Sequence, residues 1–388
     1  MKRVVVGISG GVDSSVAAYL LKEQGYDVHG LFMKNWEQQE GVLTSSCTWE
    51  DDWAFAQMVA GKLEIPLHFV DFSKEYYKRV VDYMFQEYQS GRTPNPDVLC
   101  NREVKFDLFA IEAEKYDTDY IATGHYCSRE SVNKEGKTYH SLIAGKDKNK
   151  DQSYFLCQLS QEQLSRSLFP LGHIEKSEVR AIAEKLQLPT ATRKDSQGIC
   201  FVGKVDLPQF LQQKLKPRQG PIVKIEPEKF PDLTKTPMEK KVQPFNFANM
   251  DGNEVGTHQG AHFYTIGQRK GLNLGGFQKP LYVIGTDVDR NIVYVGEGSD
   301  HPGLFRMGLF IASSDIHWIR EDLRMVPGES DSFDFRIRYR QPLQKGEMIQ
   351  KKEGAYLLFD QPQRGITPGQ FAAWYRNGEL LGSGPIFS

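Results

Sequence analysis

Short apolar runs alternate with amphipathic stretches along the first half of the chain. Residues 4–8 form an apolar run typical of a strand buried on both faces of a parallel sheet, and the apolar spacing of residues 16–21 suits a packed helix. The same order continues with predicted strands at residues 28–33, 67–72 and 120–123, and with predicted helical stretches at residues 50–63, 74–88 and 105–116. This alternation predicts an α/β domain built on a doubly wound parallel sheet.

The pattern changes in the second half of the chain. Residues 205–303 mix short strands with Pro- and Lys-rich connections, and the charged, proline-containing residues 224–241 predict an extended or mobile insertion. From residue 304 onward, alternating apolar positions and a hairpin turn at Asn377-Gly378 predict a small antiparallel β-barrel. We therefore expect three domains: a catalytic domain at 1–204, a small central domain at 205–303 and a barrel at 304–388.

A glycine-rich segment, Ser9-Gly10-Gly11-Val12-Asp13-Ser14-Ser15, joins the first predicted strand to the first predicted helix. Adjacent glycines allow a tight turn and a close approach to a ligand, and the serines add donors at a helix N-terminus, where an anion is favoured. The P-loop pattern is absent because no lysine follows the glycines. The segment resembles the pyrophosphate loop of ATP pyrophosphatases, which adenylate a substrate and release pyrophosphate; the alternative is a turn without a ligand.

Ligands of open parallel sheets bind beyond the carboxyl ends of the strands. Ser9, Met33 and Gly124 all follow or end a predicted strand, so we expect them to converge on one nucleotide. Met33 taken alone is more typical of a core residue than of an adenine contact.

Composition limits the class of protein. A hydrophobic share of 39% and a charged share of 25% are typical of a folded globular chain, and no apolar stretch approaches the roughly 20 residues that span a bilayer. The N-terminus has no signal-peptide pattern, so we expect a cytoplasmic protein without a membrane segment. The net charge of −2 does not predict nucleic-acid binding, although a local basic face suffices for it.

The five cysteines include no Cys-x-x-Cys pair, which argues against a disulfide scaffold, a zinc ribbon or a motif-bound iron–sulfur cluster. Cys47, Cys127 and Cys157 are expected to be inert or buried thiols. Cys100 and Cys200 differ, because each lies in an unusual loop, one in each half of the chain. A lone cysteine in such a loop is most often a core residue, but two of them are harder to dismiss, and the two thiols could meet across a cleft.

Residues 91–101 contain prolines on both sides of Asn95, which stiffen the loop and fix Asp97 relative to Cys100. Asp97 is a candidate proton acceptor or substrate ligand, although its negative charge would raise the pKa of a neighbouring thiol rather than lower it. The alternative is a surface loop with a helix-capping aspartate. In residues 194–203, glycines flank Cys200 and predict a thiol on a bend near the domain junction.

Two further segments are candidates for RNA contact. Lys150 could bind phosphate and Gln152 a base edge, whereas the alternative makes Asp151 or Ser153 a helix N-cap. In residues 333–340, a strand period of two would place Arg336, Arg338 and Arg340 on one face that can follow phosphates. The alternative there is a solvated strand face. Gln268-Arg269-Lys270 is a second basic candidate.

Together the segments resemble bacterial tRNA-specific 2-thiouridylases, which place sulfur on the wobble uridine, position 34, of certain tRNAs. The matching segments cover nearly the whole chain in family order: 7–15, 33–36, 91–101, 122–126, 150–156, 195–203, 264–272, 338–340 and 367–370. The main departure is the insertion at 224–253.

The resemblance implies roles for individual residues. ATP would be held by Gly7, Ile8, Ser9, Gly10, Gly11, Val12, Asp13, Ser14, Met33 and Gly124. The target base would meet Asn95, Pro96 and Asp97, with Asp97 a candidate for the proton transfers. The tRNA would be gripped by Lys150, Asp151, Gln152, Arg338 and Tyr339. Cys200 would carry a persulfide supplied by a sulfur-relay protein or cysteine desulfurase, and Cys100 would release its sulfur, leaving a transient Cys100–Cys200 disulfide.

The chemistry of such enzymes requires these parts. The 2-carbonyl oxygen of uracil leaves poorly, and transfer of AMP from ATP makes it a good leaving group; Mg²⁺ is expected with the nucleotide, with Asp13 as a candidate contact. A persulfide then supplies sulfur, and a second thiol breaks the S–S bond by forming a disulfide with the cysteine that carried the persulfide. Two alternatives stay open: an amidating relative such as argininosuccinate or GMP synthetase, and a non-catalytic RNA-binding protein switched by ATP.

Overall fold

The computed structural model describes residues 1–36, 49–195, 207–233 and 235–387. The strands, in chain order, are β1 (Arg3–Gly7), β2 (Asp27–Lys34), β3 (Leu67–Asp71), β4 (Tyr120–Ala122), β5 (Cys127–Lys134), β6 (Lys137–Ala144), β7 (Ser167–Leu168), β8 (Gly220–Lys224), β9 (Asn253–His258), β10 (Leu281–Asp287), β11 (Ile292–Glu297), β12 (Phe305–Ala312), β13 (His317–Trp318), β14 (Ser330–Arg336), β15 (Gln344–Gln350), β16 (Gly354–Arg364), β17 (Phe371–Arg376) and β18 (Glu379–Pro385).

The α-helices are α1 (Val12–Glu23), α2 (Trp49–Leu63), α3 (Ser73–Tyr76), α4 (Asp82–Gln89), α5 (Pro96–Cys100), α6 (Phe109–Glu114), α7 (Gln161–Ser165), α8 (Lys176–Lys185), α9 (Leu207–Gln212) and α10 (Met238–Lys241). Two π-helical segments, Tyr77–Val81 and Asn101–Leu108, join α3 to α4 and α5 to α6. Short 3₁₀ turns occur at Ser153–Leu156, Pro227–Lys229, Phe247–Asn249, Ala261–Phe263, Pro302–Leu304, Ser313–Asp315 and Glu321–Leu323. None of the helices in the described ranges is long and apolar enough to cross a bilayer.

Five parallel strands form the first sheet, in the order β3-β2-β1-β4-β7. The valines of β1 are fully buried on alternate faces: Val5 packs into one hydrophobic core, and Val4 and Val6 pack into the other. Burial on both faces explains why the run contains no polar residue. The predicted doubly wound parallel sheet is confirmed, and its predicted strands and helices lie in the observed elements.

Two more sheets follow. The central sheet has the order β10-β11-β8-β9, and a larger antiparallel sheet has the order β12-β16-β15-β14-β17-β18-β6-β5, with β13 beside β18. The hairpin β5–β6 comes from the first half of the chain, yet it extends the C-terminal sheet through the pairing of Leu142 with Leu380. The predicted hairpin turn at Asn377-Gly378 joins β17 to β18, and both residues have positive φ.

The segment predicted to be an extended or mobile insertion is not extended throughout its described residues. The 3₁₀ turn at Pro227–Lys229 and helix α10 lie in this segment, and Phe230 packs edge-on against Phe245 and His301. Arg306 of β12 donates a hydrogen bond to the carbonyl of Val242, directly after α10. The Arg306 hydrogen bond attaches the insertion to the C-terminal sheet, and the Phe230 contacts bury apolar surface that an extended segment would leave in water.

The prediction of a three-arginine strand face is also wrong. Strand β14 ends at Arg336, and residues 337–340 form a bend and a turn. The Arg336 guanidinium pairs at 2.8 Å with the buried Asp151 carboxylate, and only Arg340 of the three arginines is exposed. The period-two argument fails here because the strand ends at the first of the three arginines.

Burial makes the protein sensitive to acid. Desolvation lowers the pKa of eight of the nine histidines: His29, His68, His125, His140, His258, His262, His301 and His317. Below about pH 6.5 these histidines bind protons in the unfolded chain but not in the folded chain. The free energy of unfolding therefore decreases as the pH falls below that value.

We expect the thermal unfolding midpoint temperature to decrease as the pH is lowered from 7 to 5.5. His125, buried beside Thr123, by itself costs about 1.4 kcal/mol per pH unit below 6.5. Differential scanning calorimetry across this range measures the change, and His125→Gln should flatten the profile. A midpoint that is constant or rises toward pH 5.5 would contradict the prediction.

Candidate active site

The glycine-rich segment forms a tight loop between β1 and α1. Gly10 has φ +69°, and Gly11 is the N-cap residue of α1, so no capping side chain competes for the first amides of the helix. Ser14 Oγ lies 3.1 Å from the amide nitrogen of Ser9 and 3.2 Å from Ser9 Oγ, which fixes the loop around the helix N-terminus. Free amides, hydroxyls and the positive end of the helix dipole together make this loop suitable for phosphate.

The strand ends bring two predicted nucleotide residues to the loop. A Cβ on Gly124 would lie 2.9 Å from both the carbonyl carbon of Asp13 and the amide nitrogen of Ser14, so the backbone after β4 packs directly on the start of α1. Met33 Cε would lie 3.7 Å from a Cβ on Gly7. Gly7, Met33 and Gly124 thus meet at one edge of the sheet, as the order of strands predicts.

A network of charges surrounds the loop. Lys176 Nζ binds both oxygens of Asp13, at 2.7 and 2.9 Å, and also binds Asp195 at 2.8 Å. Asp195 further accepts hydrogen bonds from Lys150 and Arg180, each at 2.7 Å. Desolvation raises the pKa of Asp195, but the hydrogen bonds and charges of Lys150 and Lys176 outweigh it and hold the pKa well below its usual value. Five charged groups thus fix the start of residues 195–203 beside the phosphate loop.

Tyr126 and Arg193 complete the surroundings of the loop. The Tyr126 hydroxyl donates to Asp13 Oδ1 at 2.6 Å, and Arg193 donates to the carbonyl of Gly10 at 2.7 Å while pairing with Asp52. Burial, followed by the Asp13 charge, strongly raises the pKa of Tyr126, so the hydroxyl remains a donor. Sequence reasoning missed Arg193 and Lys176, since each stands outside a motif and is brought to the loop by the tertiary fold.

The second predicted motif begins α5. Asn95 caps this helix, its side-chain oxygen accepting from the Val98 amide at 3.2 Å, and Pro96 occupies the first helical turn, where its missing N–H costs nothing. Asp97 lies in that same turn, and Cys100 ends the helix with no exposed surface. Asn95 rather than Asp97 is the cap, so the Asp97 carboxylate is not used for capping as the alternative interpretation required.

The C-terminal sheet clamps this motif. Gln370 Nε2 donates to the carbonyls of Thr93 and Pro94, at 2.8 and 3.1 Å, and Asn95 Nδ2 donates to Gln370 Oε1 at 3.3 Å. The hydroxyls of Thr93 and Thr265 are 3.0 Å apart. Three segments that are distant in sequence, 91–101, 264–272 and 367–370, therefore meet at one point.

Cys127 and Cys157 are buried, as expected, and Cys100 is buried as well. Cys127 and Cys157 are fully buried; burial raises the pKa of Cys157 to about 12 and that of Cys127 well above its usual value, so both remain protonated. Cys100 is a free thiol. Cys47 and Cys200 lie outside the described residues, so the Cys100–Cys200 pairing stays a prediction.

The predicted tRNA contacts lie along one seam between the first and last domains. The rings of Phe155 and Tyr339 pack in a tilted arrangement with centroids 4.2 Å apart, and Asp151 binds Arg336. Asp151 is buried, and its other oxygen accepts from the amides of Gly145 and Ser153. Asp151 therefore holds its own loop together, although the N-cap of the turn at Ser153–Leu156 is Gln152 and neither Asp151 nor Ser153.

Of the remaining predicted contacts, Gln152 accepts a hydrogen bond from the Tyr126 amide at 3.1 Å, and Lys150 pairs with Asp195. The Arg338 guanidinium donates to the Gly365 carbonyl and to Thr367 Oγ1. The seam thus connects the phosphate loop to the C-terminal sheet.

Comparison with known proteins agrees with this architecture. Three family models match in order: tRNA methyl transferase HUP domain at residues 2–204, tRNA methyl transferase PRC-barrel domain at 238–297, and aminomethyltransferase beta-barrel domain at 310–386. These matches and the observed sheets define a HUP-type nucleotide-binding protein with two appended β domains.

Full-length relatives are more specific. The chain is 56% identical, over 100% of both chains, to the tRNA-specific 2-thiouridylases MnmA of Christiangramia forsetii and Flavobacterium johnsoniae. It is 46% identical to that of Halalkalibacterium halodurans, over 99% of this chain and 94% of the relative. The chain belongs to the tRNA-specific 2-thiouridylase family, which confirms the resemblance found in the sequence.

Proposed function

We propose that this protein is an ATP-dependent tRNA 2-thiouridylase. It adenylates the 2-carbonyl oxygen of uridine 34 and then transfers persulfide sulfur, yielding 2-thiouridine, AMP and pyrophosphate. The observation that carries the proposal is the 56% identity to named 2-thiouridylases over the entire chain. The phosphate loop and the clamped loop at Asn95 supply the two sites that this chemistry needs.

The ATP site is assigned to the loop and to the strand ends beside it. The residues are Gly7, Ile8, Ser9, Gly10, Gly11, Val12, Asp13, Ser14, Met33 and Gly124. The amides at the start of α1 bind the phosphates, and the close packing of Gly124 on Asp13 and Ser14 supports the assignment. Lys176 is well placed to balance charge that enters or leaves the loop.

Mg²⁺ fits this site only as a partner of the nucleotide. The described residues contain no group of three or more potential metal-binding side chains, and both Asp13 oxygens already bind Lys176. Such an arrangement suits an ion held chiefly by phosphates, with Asp13 as the protein ligand after exchange with Lys176. When bound, Mg²⁺ neutralises charge on the pyrophosphate leaving group.

The target base is assigned to Asn95, Pro96 and Asp97, with Asp97 transferring protons. The capped first turn of α5 and the Gln370 clamp support this assignment, because they hold the loop rigidly. The tRNA contacts are assigned to Lys150, Gln152, Arg338 and Tyr339, and Asp151 positions their loop. The wobble base must leave its stack to reach Asn95.

Sulfur transfer uses two thiols. The terminal sulfur of a Cys200 persulfide forms a bond to C2 of the adenylated uridine, and the C2–O bond to AMP breaks. The Cys100 thiolate then attacks the Cys200 sulfur, the S–S bond breaks, and its electron pair stays with the sulfur on C2. The Cys100–Cys200 disulfide left behind is reduced by an external thiol. A cytoplasmic sulfur-relay protein or cysteine desulfurase renews the persulfide.

The test supplies unmodified tRNA, Mg²⁺-ATP and a persulfide donor, and measures thiolated tRNA and AMP together. We expect both products in equal amounts. AMP without thiolation would favour an amidating relative such as argininosuccinate or GMP synthetase, and ATP-dependent tRNA binding without AMP would favour a non-catalytic switch. Either result, with the tRNA and donor verified as competent, would overturn the proposal.

A further inference from the structure

An ion pair lies at the start of the loop that carries the assigned base site. Glu87 is a buried residue in the last turn of α4, and Arg92 follows the turn that ends this helix. The Arg92 guanidinium donates to both oxygens of the Glu87 carboxylate, through Nε to Oε2 at 2.7 Å and through Nη2 to Oε1. The Arg92 amide also donates to the Glu87 carbonyl, at 2.9 Å. One helix residue therefore holds both the backbone and the side chain of Arg92.

Two further features fix this arrangement. Gly91 has φ +74°, which reverses the chain at the end of α4 and returns Arg92 to Glu87. The Arg92 guanidinium also lies over the Phe387 ring, 5.4 Å from its centroid. The residue before Phe387 donates its amide hydrogen to the Gln370 carbonyl at 2.7 Å. The ion pair thus connects α4 to the part of the C-terminal sheet that clamps the loop.

The path from the ion pair to the base site is short. Only two residues separate Arg92 from Asn95, and the second of them is Pro94. A proline restricts its own backbone and that of the residue before it, so this stretch has few conformations. The Thr93 amide donates to the Pro368 carbonyl at 2.8 Å, and Asn95 caps α5. A change in the position of Arg92 therefore also moves the first turn of α5.

Burial distinguishes this pair from an ordinary surface ion pair. The Glu87 side chain is 10% exposed and the Arg92 side chain is 27% exposed. Two parallel hydrogen bonds fix the orientation of the guanidinium as well as its distance from the carboxylate. Exposed pairs contribute little, whereas removal of one partner from a buried pair leaves a charge without compensation. The Glu87–Arg92 pair therefore determines where the loop begins.

We propose that Arg92 is a positioning residue for the target uridine, because its pairing with Glu87 sets the position of residues 95–97 relative to the phosphate loop. The proposal rests on the proposed function, since it takes those three residues as the base site. In this role Arg92 contacts neither the base nor ATP. Adenylation requires the uridine oxygen to approach the α-phosphate in line with the leaving pyrophosphate. A displacement of about 1 Å lowers the rate about a hundredfold without weakening ATP binding.

The test compares the full-length wild-type protein with Arg92→Lys. Lysine keeps the positive charge but cannot form the two parallel hydrogen bonds. We expect kcat for tRNA-dependent AMP formation to fall about a hundredfold. We expect KM for tRNA and the calorimetric Kd for ATP to change by less than about threefold. The unfolding midpoint temperature of each variant is measured on the same preparations.

A second variant tests the partner of Arg92. Glu87→Gln keeps the shape of the side chain and removes its charge, so it should lower kcat to a similar extent. The double variant should be no slower than the slower single variant, because both substitutions remove the same interaction. Additive losses in the double variant would mean that the two residues act separately and would overturn the proposal.

The matched control is Arg320→Lys. Arg320 also forms two parallel hydrogen bonds to one carboxylate, that of Asp322, at 2.8 Å each. Arg320 is buried and lies in the C-terminal domain, outside the assigned sites. This variant should lower the unfolding midpoint temperature and leave kcat unchanged. The comparison therefore separates a loss of stability from a loss of position.

Three results would contradict the positioning role. A lower unfolding midpoint temperature in Arg92→Lys with unchanged kcat would make the pair structural only. A raised KM for tRNA with unchanged kcat would make Arg92 a direct RNA contact. Loss of ATP binding in both Arg92→Lys and Glu87→Gln would mean that the damage extends to the phosphate loop.

The two proposals fail in different ways. If the wild-type protein forms neither AMP nor thiolated tRNA, the proposed function is wrong and the inference falls with it. If the wild-type protein thiolates tRNA and Arg92→Lys has the wild-type kcat, the function stands and the positioning role is wrong.

Discussion

Cys100→Ser and Cys200→Ser are each expected to reduce tRNA thiolation by at least about a thousandfold while ATP is still cleaved, with water in place of the persulfide displacing AMP from the adenylated uridine. Adenylation transfers AMP from ATP to the uridine oxygen, releases pyrophosphate and requires neither thiol. Sulfur transfer needs both thiols, because Cys200 carries the persulfide and Cys100 attacks the Cys200 sulfur to break the S–S bond. The measurement follows thiolated tRNA by affinity electrophoresis and AMP by chromatography in the same reactions.

The matched control is Cys127→Ala, which removes a fully buried, protonated thiol that the mechanism does not use. It should thiolate tRNA at close to the wild-type rate. Loss of AMP release in both serine variants would place the thiols in adenylation instead, and thiolation at the wild-type rate in either variant would remove that cysteine from the mechanism.

Gly124→Ala is expected to reduce AMP formation by about a hundredfold or more. Its new Cβ would lie 2.9 Å from backbone atoms of Asp13 and Ser14, closer than real Cβ contacts allow, and a backbone cannot rotate away as a side chain can. The start of α1 must then move, and the phosphate-binding amides move with it. Calorimetric titration with ATP should show correspondingly weaker binding, and the unfolding midpoint reports whether the fold survives.

Gly61→Ala is the control for this substitution. Gly61 lies in α2, and a Cβ there meets nothing within 4 Å. Alanine favours a helix over glycine by up to about 1 kcal/mol, so this variant should be as stable as the wild type or more stable, with unchanged AMP formation. Equal AMP formation by Gly124→Ala and Gly61→Ala would show that the contact with α1 has no part in nucleotide binding.

Local sequence was sufficient to predict the features that depend only on residues close together in the chain. The apolar run at residues 4–8 predicted β1, and the glycine pair before Asp13 predicted the turn into α1. Asn95 followed by Pro96 similarly determines where α5 begins, since an N-cap residue and a proline in the first turn act within a few residues. These features are short-range, so a single sequence carries them.

Prediction failed where distant residues compete for the same group. The period-two pattern at residues 333–340 continued past the true end of β14, where Arg336 turns to the buried Asp151 carboxylate. The contacts of the insertion were not predicted because the partners of Phe230 and Val242, which are His301 and Arg306, lie outside the segment. No local pattern identifies such partners.

The sequence by itself determined the order of strands and helices, the phosphate loop, the stiff loop at Asn95 and the family. Tertiary structure alone decided that Lys176 joins Asp13 to Asp195 and that Gln370 clamps the Asn95 loop. The physical reason is range. Turns, caps and buried strands depend on neighbours in the chain, whereas charge pairing and cavity formation depend on which surfaces the folded chain brings into contact.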